Sequence, residues 1–254
     1  MTELDISAGW AIGLALAVTR ASAFVALCAF VPRTIPALGR TALGLAFGVL
    51  IAQPIGQVAA PADQLVTAAF VNIVIGGVLG WFMGLAIHLF QVAGSVVDTT
   101  SGVSLGAVFD PDSQTTPGPF SRFFTLGGQA LVMAMGGLTV MAQALWLSTR
   151  VVALDGRLGN LQPLGAAASD SLSSLYLHGV ELALPVAGVL FVGELAFGLL
   201  SRLAPQINTF LVGLPLKTLV TLAMLGSAAV LFPRFADRAI AAGVDAAARL
   251  LGTG

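Results

Sequence analysis

Residues 65 to 97 contain no Asp, Glu, Lys or Arg, and an uncharged run of that length restricts a fold more than any motif inside it. Crossing about 30 Å of hydrocarbon takes roughly 20 residues of helix. The run is long enough to span a bilayer and too long for one perpendicular crossing, so it is expected to tilt, bend or extend beyond the lipid. Further apolar stretches occupy residues 6–31, 41–60, 123–149, 177–201 and 212–232. The fold class that follows is all-α: a polytopic membrane protein of about six long helical segments forming hairpins.

Composition excludes most other classes. The 11 basic and 12 acidic residues make up 9% of the 254, and 57% are hydrophobic, whereas a soluble domain carries about 25% charged residues. What remains cannot clothe a water-facing exterior, which argues against a soluble globular enzyme. Intrinsic disorder requires low hydrophobicity. Nucleic-acid binding requires clustered cations, and here the net charge is -1 with Lys217 the single lysine. The lone cysteine, Cys28, cannot form an internal disulfide and lies in an apolar run. Glu3 and Asp5 precede the first basic residue, Arg20, so the N-terminus lacks the positive region of a cleavable signal and the first apolar segment is expected to be retained.

The connections differ in kind. Residues 32–40 (PRTIPALGR) read as a short basic turn. Residues 98–122 are rich in Ser, Thr, Gly and Pro, and a loop of this length in a compact protein is usually functional or disordered. Residues 150–176 form a longer, mixed connection. Basic loops should mark the cytoplasmic side, but Arg33 and Arg40 place the first loop inside while Arg234, Arg238 and Arg249 would leave a basic tail outside. The charge rule is thus indecisive, as it would be if the segments do not all cross separately.

Gly76, Gly80 and Gly84 recur every fourth residue, and Gly44 and Gly48 repeat the spacing. This puts small residues on one helix face, where neighbouring backbones can approach. His88 extends the first stripe and reads as an interior, hydrogen-bonded histidine. Charges inside apolar segments are costly, so Arg20 must pair, meet a water-filled cavity or sit near an interface. His178 and Glu181 are three apart, as a metal pair would be, but a zinc site needs three or four ligands. Glu194 lies about 220° around a helix from Glu181, so the two do not form an acid and base pair. No phosphate-binding glycine motif is present. No metal site and no cofactor are expected.

Two segments are more distinctive. In 106–122 (GAVFDPDSQTTPGPFSR), Pro111 biases Asp110 away from helix, and Pro117 and Pro119 remove donors. The segment reads as a semi-rigid loop with Phe109 and Phe120 at its ends. In 199–217 (LLSRLAPQINTFLVGLPLK), Pro205, Gly213 and Pro215 interrupt an apolar run beside Arg202, Gln206, Asn208 and Lys217. Broken backbone in an apolar setting must find partners in protein or water. The segment fits either a helical hairpin tip or the discontinuous helix of a secondary transporter, which would bind a small solute near Pro205 and Pro215. A membrane-embedded hydrolase built on His178 and Glu181 is a third reading.

At these segments the chain resembles the FliR family of the flagellar type III export apparatus, called SctT in injectisomes. The resemblance rests on Gly102-Val103-Ser104-Leu105, Asp110-Pro111 and Pro117, and on Arg202-Leu203-Ala204-Pro205-Gln206-Ile207-Asn208-x-Phe210 followed by Gly213-x-Pro215-Leu216. Gln91-x-Ala93-Gly94 leading to Asp98 is also similar, and the order of apolar segments extends the likeness over essentially 1–254 as one domain. Two departures stand out: Gly213-Leu214-Pro215 replaces a common Gly-Phe-Pro, and Gly136-Gly137 replaces a frequent Asn-Gly-His.

The resemblance implies a non-enzymatic subunit of a helical export gate in the bacterial inner membrane, at the flagellar basal body. Its partners would be FliP-like and FliQ-like subunits, an FlhB-like switch protein, membrane lipid and the unfolded substrates that pass through. Loop 98–122 would act as the pore plug, with Gly106, Phe109, Asp110, Pro111, Pro117, Pro119 and Phe120 as its gate positions. Residues 177–232 would form a FliQ-like broken hairpin. Its assembly tip would be Arg202, Pro205, Gln206, Asn208, Phe210, Gly213, Pro215 and Lys217, and Gly76, Gly80 and Gly84 would serve helix packing.

Overall fold

A computed structural model describes residues 8–32, 34–52, 64–103, 117–156, 164–206 and 208–250, and every regular element among them is an α-helix. In chain order these are α1 (Ala8–Leu27), α2 (Ala37–Ala52), α3 (Leu65–Ser101), α4 (Pro119–Ala134), α5 (Gly137–Val151), α6 (Leu164–Leu203) and α7 (Thr209–Leu250). Three helical stretches are long and apolar enough to cross a membrane: Gly9–Leu27, Leu65–Ser101 and Tyr176–Leu203. Two bent pairs, Pro119–Ala134 with Gly137–Arg150 and Val212–Gly226 with Ala228–Arg238, pass the same test jointly, which raises the number to as many as five. At 1.5 Å per residue α3 is roughly 55 Å long, well beyond the hydrocarbon thickness.

Boundaries follow local chemistry. Helix α3 ends where Gly102 takes φ 79° and its N–H bonds the Thr99 carbonyl, the left-handed C-terminal stop that glycine adopts without penalty. The single apolar segment read at 123–149 is two helices bent by 73°. The break falls at Gly136, with φ 93° and ψ 24°, a conformation a side chain strongly disfavours. Pro185 lies inside α6 and Pro215 inside α7. Helix α6 begins at Leu164, so the second half of the connection read at 150–176 is helical.

The chain folds into two compact units. The first comprises Met1–Ala86, Val132–Leu172 and Ile240–Gly254, and the second Ile87–Leu131 and Ser173–Ala239. In the first unit α1 is the central strut. A Cβ added at Gly76 would collide with the Arg20 carbonyl, one at Gly80 with the Phe24 carbonyl, and one at Gly84 would lie 2.9 Å from the Ala29 nitrogen. The rising pairs 76/20, 80/24 and 84/29 mean that α1 and the first part of α3 run parallel. On α2, a Cβ at Gly44 would approach Ser22 Oγ to 2.8 Å and one at Gly48 would approach Val18 Cα to 2.6 Å, so α2 runs antiparallel to α1. Ala17, Ala21, Phe24, Phe30, Ile51 and Met83 are fully enclosed around these contacts.

In the second unit α4 carries its aromatic face onto α3 and α7. The Phe232 ring centroid lies 5.4 Å from that of Phe90 and 5.0 Å from that of Phe124, distances favourable for tilted aromatic pairs.

Replacing Gly76 by alanine forces α1 and α3 apart, and such overpacking costs about 1–3 kcal/mol. Gly188 is exposed, with nothing within 4 Å of an added Cβ, so Gly188→Ala should be neutral or slightly stabilising. Thermal unfolding of the two variants in detergent should separate them in that order; equal melting temperatures would contradict the close approach.

Candidate functional site

Residues 104–116, and with them Gly106, Phe109, Asp110 and Pro111, lie outside the described residues. The base of that connection is described, and it is built around one carboxylate. Helix α4 starts at Pro119. Proline suits the first helical position, because its fixed φ is already helical and its missing N–H would have had no partner there. The preceding Gly118 has no side chain with which to cap the helix. Asp98, from the last turn of α3, supplies the cap instead: the Phe120 N–H donates to Oδ1 at 3.0 Å and the Ser121 N–H to Oδ2 at 2.9 Å.

Asp98 is buried, and a Cβ at Gly118 would collide with its carboxylate, so glycine at 118 admits the cap. The pairing joins two donors left free at a helix N-terminus to a negative charge at its positive end. The Gln91, Ala93, Gly94 and Asp98 group occupies this contact. The Ser121 hydroxyl donates to the Gln91 carbonyl at 3.5 Å, Ala93 is fully buried, and a Cβ at Gly94 would collide with Ser121.

This corrects the extent of the loop read at 98–122. Asp98 to Ser101 are helical, as are Pro119 and Phe120, whose ring is buried. The connection proper is 102–118. Pro119 opens a helix rather than interrupting one, and Pro117 is exposed just before it.

The second candidate region is the α6–α7 hairpin. Helix ends at Leu203 and resumes at Thr209, so Pro205, Gln206 and Asn208 lie in the turn and are exposed, as is Arg202 at the end of α6. Asn208 makes an interaction within the chain. Phe210, Gly213, Pro215 and Lys217 belong to α7. The expected breaks at Gly213 and Pro215 are therefore absent: a proline seven residues into a helix removes one bond and bends the helix without ending it. The hairpin also extends beyond 177–232 at both ends.

Two ion pairs cross this hairpin. Lys217 Nζ lies 2.7 Å from Glu194 Oε2, and Arg238 Nη1 lies 3.5 Å from Glu181 Oε2. The two glutamates of α6 thus each have a cation on α7, in antiparallel register. Both pairs are partly exposed, so each contributes little stability. In the sequence Glu181 is weighed against His178 and Glu194 alone, although the spacing of the two glutamates from Arg238 and Lys217 fits an antiparallel hairpin. Along the same helices Phe191, Leu199, Leu203, Leu219 and Val230 are exposed, Leu203 at 84% and Val230 at 74%.

Arg20, in the first unit, is completely buried and anchors a polar node. Its Nε donates to Asn72 Oδ1 at 2.8 Å, Nη1 to Ser148 Oγ at 3.2 Å, and Nη2 to the Val152 carbonyl at 2.9 Å and more weakly to that of Ala153 at 3.4 Å. Asn72 Nδ2 in turn donates to the Ala68 and Leu154 carbonyls at 2.7 and 2.9 Å. These acceptors gather at the C-terminal end of α5, where helix carbonyls lack intrahelical partners and the dipole favours a cation. Each of these hydrogen bonds from the guanidinium is accepted by a neutral, oriented dipole. His88, also read as an interior residue, is half-buried with Nδ1 2.9 Å from Gln91 Oε1.

Among the described residues no three His, Cys, Asp or Glu side chains group as metal ligands.

A family model described as bacterial export proteins, family 1, matches residues 11–243. The flagellar biosynthetic protein FliR of Bacillus subtilis is 26% identical over 206 residues, 80% of each chain. The flagellar biosynthetic protein FliR of Escherichia coli is 27% identical over 206 residues, covering 78% of this chain and 77% of that one. The surface presentation of antigens protein SpaR of Shigella flexneri is 29% identical over 157 residues, 60% of this chain and 59% of its own.

Removing the Asp98 carboxylate leaves two buried N–H groups without an acceptor. At about 1.5–3 kcal/mol for hydrogen bonds to a charged group, Asp98→Ala should loosen the base of the connection and increase protease cleavage between residues 102 and 118. Glu194→Gln, at an exposed pair, should leave the cleavage pattern as in the wild type. Unchanged cleavage in Asp98→Ala would contradict the clamp.

Proposed function

Because this chain belongs to the bacterial export proteins, family 1, we propose that it is a non-enzymatic subunit of the flagellar type III export gate in the bacterial inner membrane. It assembles there with FliP-like and FliQ-like subunits and an FlhB-like switch protein at the basal body. Unfolded substrate chains pass through the assembly, and the energy for their movement comes from partners. The flagellar assignment is supported by the FliR names among the relatives, two of which cover 80% and 78% of this chain.

The observation that carries the reading is the α6–α7 hairpin. Helices of 40 and 42 residues leave large apolar side chains uncovered along most of their length, beside ion pairs and an exposed polar turn. At 1.5 Å per residue the 40 residues of α6 follow a path of about 60 Å, twice the hydrocarbon thickness, and α7 bends by 56° between Gly226 and Ala228, so lipid alone cannot cover both. Neighbouring subunits are the natural cover, with the Arg202 to Lys217 turn region as an assembly tip.

The connection 102–118 is the pore plug in this reading. The Asp98 cap holds the end of α3 to the start of α4, which fixes the base of the plug. Deleting residues 104–116 while keeping Asp98, Gly118 and Pro119 preserves that base and removes the obstruction. The assembled complex in planar bilayers should then show a steady ion conductance absent from the wild type; conductance equal to wild type would refute the plug role.

A further inference from the structure

The segment read as a basic turn at 32–40 is helical from Ala37 and takes no part in the plug or the hairpin, yet Thr34, Ile35 and Pro36 with the first turns of α2 line a recess of about 470 Å³ between α1 and α2. Its polar lining is Ser22 from α1, Thr34 from the turn, and Arg40 and Thr41 from the first turns of α2, with Val25 and Ile35 among the apolar walls. No carboxylate lines it. Arg33 belongs to the same turn in sequence but lies outside the described residues.

Arg40 is incompletely satisfied. Nη2 donates to the Pro32 carbonyl at 3.3 Å, while Nε is buried with no hydrogen-bond partner. A buried guanidinium N–H without an acceptor is costly, and an orphan of this kind calls for a missing partner. Thr41 gives its hydroxyl proton to the Leu38 carbonyl at 2.9 Å, but among the described residues the hydroxyls of Ser22 and Thr34 have no hydrogen-bond partner. One cation and two hydroxyl donors without a nearby carboxylate suit an oxyanion with several acceptor oxygens, the geometry guanidinium groups recognise in phosphates.

The setting selects among phosphates. Helix α1 is apolar and long enough to cross a membrane, and the recess lies at its C-terminal end. Leu38, Leu45 and Val49 are 82%, 53% and 44% exposed, and their spacing of seven and four residues forms one apolar stripe down α2. A basic recess at the end of an apolar helix, adjoining such a stripe, suits a headgroup with an acyl chain attached.

We propose that this recess binds the phosphate of an anionic phospholipid, with Arg40, Ser22 and Thr34 as the headgroup contacts and the α2 stripe as the acyl track. The site does not depend on the export assignment. The test is native mass spectrometry of the full-length protein in neutral detergent, titrated with dioleoyl phosphatidylglycerol, with dioleoylglycerol or with inorganic phosphate.

Phosphatidylglycerol should be retained and dioleoylglycerol should not. Arg40→Gln should weaken retention about tenfold, the scale of one charge-assisted contact. Arg150→Gln, at an exposed cation of α5 stacked on Trp146, should leave it unchanged. Equal retention by Arg40→Gln and wild type would overturn the proposal. So would binding of inorganic phosphate without retention of the lipid, which would make this a site for the free anion. If Arg40→Gln does not fold, Thr34→Val in the exposed turn carries the test: several-fold weaker retention supports the site and wild-type retention overturns it.

Discussion

The two best-buried charges among the described residues are both held at helix ends, and the surrounding architecture depends on that arrangement. Arg20 sits at the carbonyl end of α5 and Asp98 at the amide end of α4. Each meets backbone groups that a helix terminus leaves unpaired and a dipole of favourable sign. An isolated charge in an apolar interior would cost many kcal/mol, so the two termini are what allow these charges to remain there. In exchange, each charge fixes where a helix begins or ends.

Glycine makes both arrangements geometrically available. The approach of α3 to the Arg20 and Phe24 carbonyls brings Asn72 of α3 alongside the Arg20 guanidinium on α1, and the absence of a Cβ at Gly118 lets Asp98 reach the first amides of α4. Gly136, in the left-handed region, turns the chain by 73° between the two helices whose termini are used. These are backbone contacts in a setting where apolar surface alone gives helices little reason to associate. They account for a well-packed first unit in a chain with few charges, while the α6–α7 hairpin remains largely uncovered.

Hydropathy made the helices legible, because apolar runs of 20 to 33 residues leave few alternatives in an apolar solvent. It did not locate the turn inside 123–149, since Gly136 and Gly137 interrupt no hydrophobic pattern. Pro119 misled in the opposite direction: read as a loop residue, it is the first residue of α4, and the side-chain-free Gly118 before it was the available sign that a distant residue must cap the helix. Arg20 demanded a partner, a water-filled cavity or an interface, but charge patterning does not reveal acceptors that are an amide, a hydroxyl and two carbonyls. The order of motifs placed Gln91, Gly94 and Asp98 together, and the physical reason for their spacing emerged only with the α3–α4 contact. The four plug positions from Gly106 to Pro111 lie outside the described residues.

A hairpin this exposed calls for neighbouring subunits. The most direct measurement is purification of an affinity-tagged copy from native membranes in mild detergent, followed by determination of mass and composition. The expected result is a single large complex containing FliP-like and FliQ-like proteins with one copy of this chain. Recovery of a stable, monodisperse monomer, with its hairpin satisfied by detergent alone and no such partners at any stage, would contradict it.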